Sequence, residues 1–180
     1  VVEDVVMGCV DTIGPQAGDI ARTCWLAAGL PEHVPGTTVD RQCGSSQQAV
    51  HFAAQAVMSG TAHVVVAAGV QNMSQIPISS AMTAAEPLGF TDPFSGSVGW
   101  VKRYGDQPVS QFYAADEIAK RWDISRLQME EWAYQSHQRG LTAIAEGRFA
   151  REIAPFGEVS EDIGPRADTT RTGAALDSLV

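Results

Sequence analysis

Apolar residues along this chain follow two rhythms, with short valine-rich runs over roughly the first 70 residues and a helical spacing from about residue 110 onward. Residues 1–10 read as a valine-rich strand with no turn or cap before it. The loop DTIGPQAGD follows, with three turn formers, and 20–30 reads as a helix with Asp19 as N-cap and Gly29 near its end. The connection PEHVPG leads into TTVDRQ, a short β-branched strand. Residues 44–59 read as a long Ala- and Gln-rich helix closed by Gly60. Residues 62–70 read as a buried strand, with valines in sequence and no polar alternation. The order strand, helix, strand, helix, strand predicts a parallel α/β sheet.

The pattern changes after about residue 71. Residues 74–110 hold Pro77, Pro87, Pro93 and Pro108 among several Gly and Ser, with no clear period, which predicts an extended loop region. Two helices follow, over 109–122 and 125–147. The second opens with Ser125 and has Gln128 three residues on, a capping box. Its apolar residues Leu127, Trp132, Leu141 and Ile144 fall broadly on one face. The tail mixes a strand-like EIAPF with an acidic loop and ends at LDSLV, in what reads as mid-helix. A start in a strand and a stop in a helix lead us to expect a piece of a longer protein.

Composition narrows the partners. Hydrophobic residues make up 44% and charged residues 18%, as in ordinary globular domains, and the net charge of -9 disfavours nucleic acid or an anionic membrane surface as the main partner. The longest apolar run, about 63–70, is far short of the ~20 residues a membrane helix needs. The opening residues carry two acids and no basic stretch, unlike a signal peptide. Three widely spaced cysteines, with no CxxC pair, fit a reducing compartment rather than a disulfide framework or zinc site. Cys9 and Cys24 are expected to be simply buried.

Cys43 is different, because it stands where a strand gives way to a helix. Gly44, Ser45 and Ser46 are small, so the turn there can be tight and a substrate can approach the backbone. A helix N-terminus presents unpaired N–H groups and the positive end of the dipole, which favour a thiolate and an oxyanion. Such a setting suits a nucleophile that accepts an acyl group. By pattern alone, a buried cysteine opening a helix remains the alternative. No G-x-S-x-G elbow and no G-x-G-x-x-G loop is present, so neither a serine hydrolase nor a dinucleotide site is supported.

Several segments resemble the thiolase family. TTVDRQCGSSQQAVHFAAQAV is similar to its active-site segment, where the nucleophilic cysteine follows a strand and precedes small residues, Gln and Ala. VVMGCVDTIGPQAGDIARTCWLAAGLPEHVPGTTVD resembles the strand, loop and helix leading to that cysteine. VVVAAGVQNMSQIP resembles the later strand with its Met-Ser and Pro signature, here Met73, Ser74 and Pro77. FYAADEIAKRWDISRLQMEEWAYQSHQRGLTAIAEGRFAREIAPF resembles the thiolase loop domain, and RTGAALDSL the segment after it. The similarity covers nearly all 180 residues in the expected order.

The resemblance implies a layered α-β-α fold with a mostly parallel sheet, one of two pseudo-symmetric halves. Residues 1–73 would be the α/β core, lacking its first strand and helix, and 74–180 an inserted, mainly helical loop domain. It implies that Cys43 is acylated by a thioester and that CoA, or the carbanion of an acyl-CoA, then takes the acyl group. CoA is thus a substrate, and no resident cofactor or metal is implied. Gly44 would belong to the turn and the oxyanion contacts, and Met73 and Ser74 to the pocket wall. Arg171 matches a family position near the nucleotide end of CoA, where its guanidinium can stack or pair with phosphate. The family resemblance further implies a homodimer or homotetramer, and we expect a cytoplasmic location.

One position departs from the family. Thiolases usually carry a His ahead of the loop-domain helix, and SQFYAAD puts Ser110 there. That resembles members acting on bulky acyl chains, such as sterol side chains. His51, His63 and His137 lie in helix or strand patterns and read as structural. Two other readings stand beside the thiolase: a non-catalytic subunit pairing with an intact partner, and a ketoacyl-synthase relative, against which the loop-domain match speaks. The Gly-His-Pro histidine and the Cys-x-Gly-Gly-Gly cysteine of the family's C-terminal half do not occur in this sequence. The 180-residue chain alone is therefore expected to show little or no thiolase turnover, and cleavage of a 3-ketoacyl-CoA at an ordinary enzymatic rate would contradict this.

Overall fold

The computed structural model describes residues 1–167. Three parallel strands form the sheet: β1 (Asp4–Gly8), β2 (Gly36–Val39) and β3 (Val65–Gly69), in the order β2-β1-β3. Helix α1 (Ile20–Ala27) connects β1 to β2, and α2 (Ser45–Met58) connects β2 to β3. The expected alternation is present, with each strand shorter than its apolar run. β3 is only partly buried rather than a core strand, because β1 alone has neighbours on both sides among the described residues.

Side-chain alternation fixes the layers. Val5 packs with Ala21 of α1 and Val34, and Met7, two residues on, joins the same cluster. Val6 and Gly8 therefore point to the opposite face. On that face a Cβ added to Gly8 would lie 2.7 Å from Ser46 Cα, in the first turn of α2. Gly8 pairs with Gly69 across the sheet, and a Cβ on Gly69 would lie 2.7 Å from Ser46 Cβ. So α1 covers one face and α2 the other. Gly36 plays the matching role under α1, where an added Cβ would come 2.7 Å from Arg22 N. Helix α2 turns its smallest side chains to the sheet, burying Ser45, Gln48, Ala49 and Ala53. Val50, Phe52 and Val57 of α2 remain exposed, the kind of uncovered apolar surface expected of a chain that associates.

Helix α1 begins at its expected residue, but the cap differs. Asp19 occupies the N-cap position in a left-handed conformation with no capping hydrogen bond. Its carboxylate instead accepts the Thr38 hydroxyl at 2.6 Å, tying the helix start to β2. The stretch expected to be an extended loop contains α3 (Ser80–Thr83), a 3-10 turn at Glu86–Leu88 and α4 (Val98–Tyr104). Short capped segments explain the missing period: Ser97 caps α4, and Phe94, Trp100 and Tyr104 stack with centroids 4.8 and 4.6 Å apart.

By contacts the chain divides into Val1–Gln107 and Pro108–Val180. Thus 74–107 groups with the sheet-bearing unit, whereas the expected boundary at 73/74 follows the family resemblance, a different criterion. The second unit holds α5 (Gln111–Arg121) and α6 (Arg126–Ala145). The capping box of α6 is formed, with Ser125 N–H donating to Gln128 Oε1 at 2.8 Å and Gln128 N–H to Ser125 Oγ at 3.3 Å. Of the four apolar residues expected on one face of α6, Leu141 and Ile144 are half-buried but Leu127 and Trp132 are exposed, with Trp132 turned about 140° around the helix from Leu127 by their five-residue spacing. The expected EIAPF strand is absent; Phe156 makes only an isolated bridge with Val159. His137 accepts the Arg166 N–H at 3.1 Å, a structural duty.

Because the contact at Gly8 is with backbone, Gly8→Ala is expected to lower stability by roughly 3 kcal/mol, whereas Gly99→Ala, in open space on α4, should change it by about 1 kcal/mol or less in the stabilising direction. Urea midpoints of the two variants check this, and equal midpoints would contradict it.

Candidate active site

All three strands end on one edge of the sheet, and in open parallel α/β sheets ligands bind outside those carboxyl ends. The connection from β2 to α2 on this edge is Asp40-Arg41-Gln42-Cys43-Gly44. Its backbone is tied down by several hydrogen bonds. Asp40 Oδ1 accepts the Gln42 N–H at 2.8 Å. The buried Ser45 hydroxyl accepts the Arg41 N–H at 2.9 Å and donates to Gln42 O at 2.6 Å. The Gly44 and Ser45 N–H groups donate to Arg41 O and Gln42 O at 3.0 and 3.1 Å. Gln42 adopts φ 47°, a left-handed conformation that this net of bonds holds in place.

None of these bonds uses the Cys43 thiol, which is exposed at the start of α2. Gly44 sits at the N-cap, its N–H closing the turn. The other cysteines match the expected contrast in part: Cys9 is buried and Cys24 half-buried. Burial, and then the charges of Asp40 and Asp11, push the Cys9 thiol above its ordinary titration range.

The exit loops of β1 and β3 are bonded to each other beside this turn. Gln71 Oε1 accepts the Val10 N–H at 3.1 Å. Gln16, buried, donates from Nε2 to Val10 O and Asp11 O at 3.2 and 3.0 Å, and its Oε1 accepts the Asn72 N–H at 2.9 Å. Asp11, also buried, accepts the Ser79 N–H at 3.0 Å and the Ala81 N–H at 2.8 Å. Hydrogen bonds to a charged group contribute roughly 1.5–3 kcal/mol each, so this loop is firmly anchored. Met73 and Ser74 lie on it, both exposed.

Ser110 belongs to the second unit, where it caps α5, accepting the Tyr113 N–H at 3.4 Å. Arg171 lies outside the described residues. A hollow in the second unit, lined by Glu117, Ile118, Lys120, Arg121 and Trp122, contains none of the expected site residues. Among the described residues no cluster of three or more His, Cys, Asp or Glu is arranged for a metal ion, and no helix is long and apolar enough to cross a membrane. Asp11, Gln16 and Ser45 were not singled out from sequence. Only the turn formers around Asp11 and Gln16 hinted at an ordered loop, and nothing in a strand-to-helix pattern marks which serine will clip the turn.

The exposure of Cys43 and the raised Cys9 thiol predict the order of alkylation. With iodoacetamide at neutral pH, Cys43 should be modified first and Cys9 last, and Cys9 should gain reactivity only as pH rises past the ordinary thiol value of ~8.5. Peptide mapping by mass spectrometry checks this, and Cys9 modified before Cys43 would contradict it.

Comparison with known proteins agrees with this geometry. The family model described as thiolase, N-terminal domain, matches residues 1–179. The chain is 57% identical to a steroid 3-ketoacyl-CoA thiolase of Mycobacterium tuberculosis over 99% of its own length and 45% of that protein's. It is 36% identical to a beta-ketoadipyl-CoA thiolase of Acinetobacter baylyi, over 97% of its own length and 47% of the other's. The crystal structure of the Bacillus anthracis acetyl-CoA acetyltransferase superposes with a TM-score of 0.68 at 29% identity, covering 94% of this chain and 45% of that one. The chain thus spans a little under half the length of these relatives. With the parallel sheet, the cysteine turn and the matched residues together, this chain belongs to the thiolase family and corresponds to its N-terminal domain.

Proposed function

We propose that this chain carries the nucleophile half of an acyl-CoA C-acyltransferase, with Cys43 as the residue that holds the acyl group. The observation that carries the reading is an exposed thiol on a strand-to-helix turn held by its own backbone, Asp40 and Ser45 hydrogen bonds. The Cys43 thiolate attacks the thioester carbonyl carbon, forming a new C–S bond and a tetrahedral oxyanion. Collapse breaks the bond to the CoA sulfur, and CoA leaves as a thiolate that takes up a proton. In this synthetic direction the carbanion of an acyl-CoA then takes the acyl group, forming a C–C bond and freeing Cys43. In the degradative direction the thiolate attacks the 3-keto carbon instead. The C2–C3 bond breaks to release an acyl-CoA carbanion that takes up a proton, and CoA then takes the acyl group from Cys43. The steroid 3-ketoacyl-CoA thiolase match favours 3-ketoacyl-CoA substrates with bulky acyl groups. Gly44 shapes the turn and the space for the oxyanion, Met73 and Ser74 supply the pocket wall, and Ser110 and Arg171 the contacts to acyl-CoA. CoA serves as substrate, with no resident cofactor, and a reducing cytoplasmic setting suits three free cysteines. Activity of the whole enzyme would rest on a homo-oligomer that also contains the histidine and second cysteine of the family's other half.

A second reading has one observation in its favour. The exposed Val50, Phe52 and Val57 on α2 suit a chain that pairs with an intact thiolase without turnover of its own. Acylation separates the two. At mildly alkaline pH, acetyl-CoA should leave one acetyl group on Cys43 and release one equivalent of CoA. Cys43→Ala should abolish both. An adduct spread over Cys9 and Cys24, or none on Cys43 even with the family's other half supplied, would overturn the nucleophile assignment and favour the binding subunit.

A further inference from the structure

The acyl-transfer chemistry gives Asp11 no duty, yet among the described residues it is the one buried side chain that carries a charge, 3% exposed. Its backbone is left-handed at φ 55°, and so is that of Ser79, the residue whose N–H it accepts, at φ 73°. Two non-glycine residues held in that region and bonded to each other mark an over-determined piece of structure, the kind that clusters at functional sites. The bond joins the exit loop of β1 to the exit loop of β3. Asp11 uses both carboxylate oxygens on the Ser79 and Ala81 N–H groups, and Gln16 holds the other end of the same loop through the Asn72 N–H. Between the anchors, buried Ile76 pins the middle, where its Cδ1 would meet a Cβ on Gly14 at 3.9 Å. Met73 and Ser74 are left exposed on a loop fixed at three points.

We propose that Asp11 is a positioning residue for acyl-CoA binding: it clamps the 72–81 loop so that Met73 and Ser74 present a fixed wall at the strand-end edge that carries Cys43. This rests on the acyl-transfer reading above. The carboxylate matters because it can accept two N–H groups at once and donate none. An amide in the same place turns one acceptor into a donor facing a donor, which opens one side of the clamp without changing side-chain volume. The loop would then bind acyl-CoA less well, while Cys43, held by its own turn, would react as before once substrate is bound.

The test is Asp11→Asn in the full chain, read in two ways. Amide exchange should quicken over 72–81 and remain unchanged in β1 and β3. The acetyl-CoA concentration giving half-maximal acylation of Cys43 should rise about tenfold, with the maximal rate within about twofold of the original. Gln16→Ala, which releases the Asn72 anchor together with the Gln16 bonds to Val10 O and Asp11 O but leaves the Asp11 carboxylate in place, should shift half-saturation in the same direction by about threefold and decides the matter if Asp11→Asn does not fold. Loosening across the whole sheet, or a fall in maximal rate with half-saturation unchanged, overturns the positioning role. If the unmodified chain takes no acetyl group on Cys43, the acyl-transfer reading fails instead, and the exchange measurement still decides whether Asp11 clamps the loop.

Discussion

The arrangement depends on one close approach, that of the first turn of α2 to the glycine pair Gly8 and Gly69. A side chain at either position would meet Ser46, whose backbone lies over Gly8 and whose Cβ lies over Gly69. With no Cβ in the way, the helix start settles onto the carboxyl end of β1 and β3. Ser45, Ala49 and Ala53, at the four-residue spacing of one helix face, continue the contact with small side chains. The close seat leaves the preceding residues a single short path from β2, and that path puts Cys43 at the rim of the sheet. Gly36 under α1 shows the same device on the other face, where it serves packing alone.

Two kinds of cohesion divide the first unit between them. On the α1 face the cluster of Val5, Ala21 and Val34, with Met7, Trp25 and Val66 against it, is apolar and owes its stability to area removed from water. At the strand ends the buried groups are polar: Asp11, Gln16, Ser45 and Gln48. No buried side-chain nitrogen or oxygen among the described residues lacks a hydrogen-bond partner. A satisfied polar net is directional, so it fixes the positions of loops in a way that an oily core cannot. The apolar face supplies a base, and the polar edge sets where Cys43, Met73 and Ser74 stand.

How much of this was readable beforehand follows from the same division. Valine runs and an Ala-rich helix have a period, so β1, α1, β2, α2 and β3 could be placed within a few residues, and Ser125 with Gln128 announced the α6 cap. The place of Cys43 on an open strand-to-helix turn was legible because its neighbours are small and because the surrounding segments resemble thiolases. The region 74–107 was not, since its short helices are set by local caps such as Ser97 and by the distant carboxylate of Asp11, and neither leaves a repeat. Asp19 shows the limit of a local rule. Its position was right, but Thr38, nineteen residues away, competed successfully for the side chain. Asp11 and Ser79 are 68 residues apart, and only the folded sheet brings them together.

The central claim is geometric: helix α2, seated on two glycines, presents one thiol for acyl transfer. A crystal structure of the chain after reaction with an acyl-CoA tests it most directly. Continuous density from Cys43 Sγ to the acyl carbonyl carbon is predicted, with Ser46 still resting on Gly8 and Gly69. Density for the acyl group on Cys9 or Cys24, or an α2 start lifted away from that glycine pair, would contradict the account.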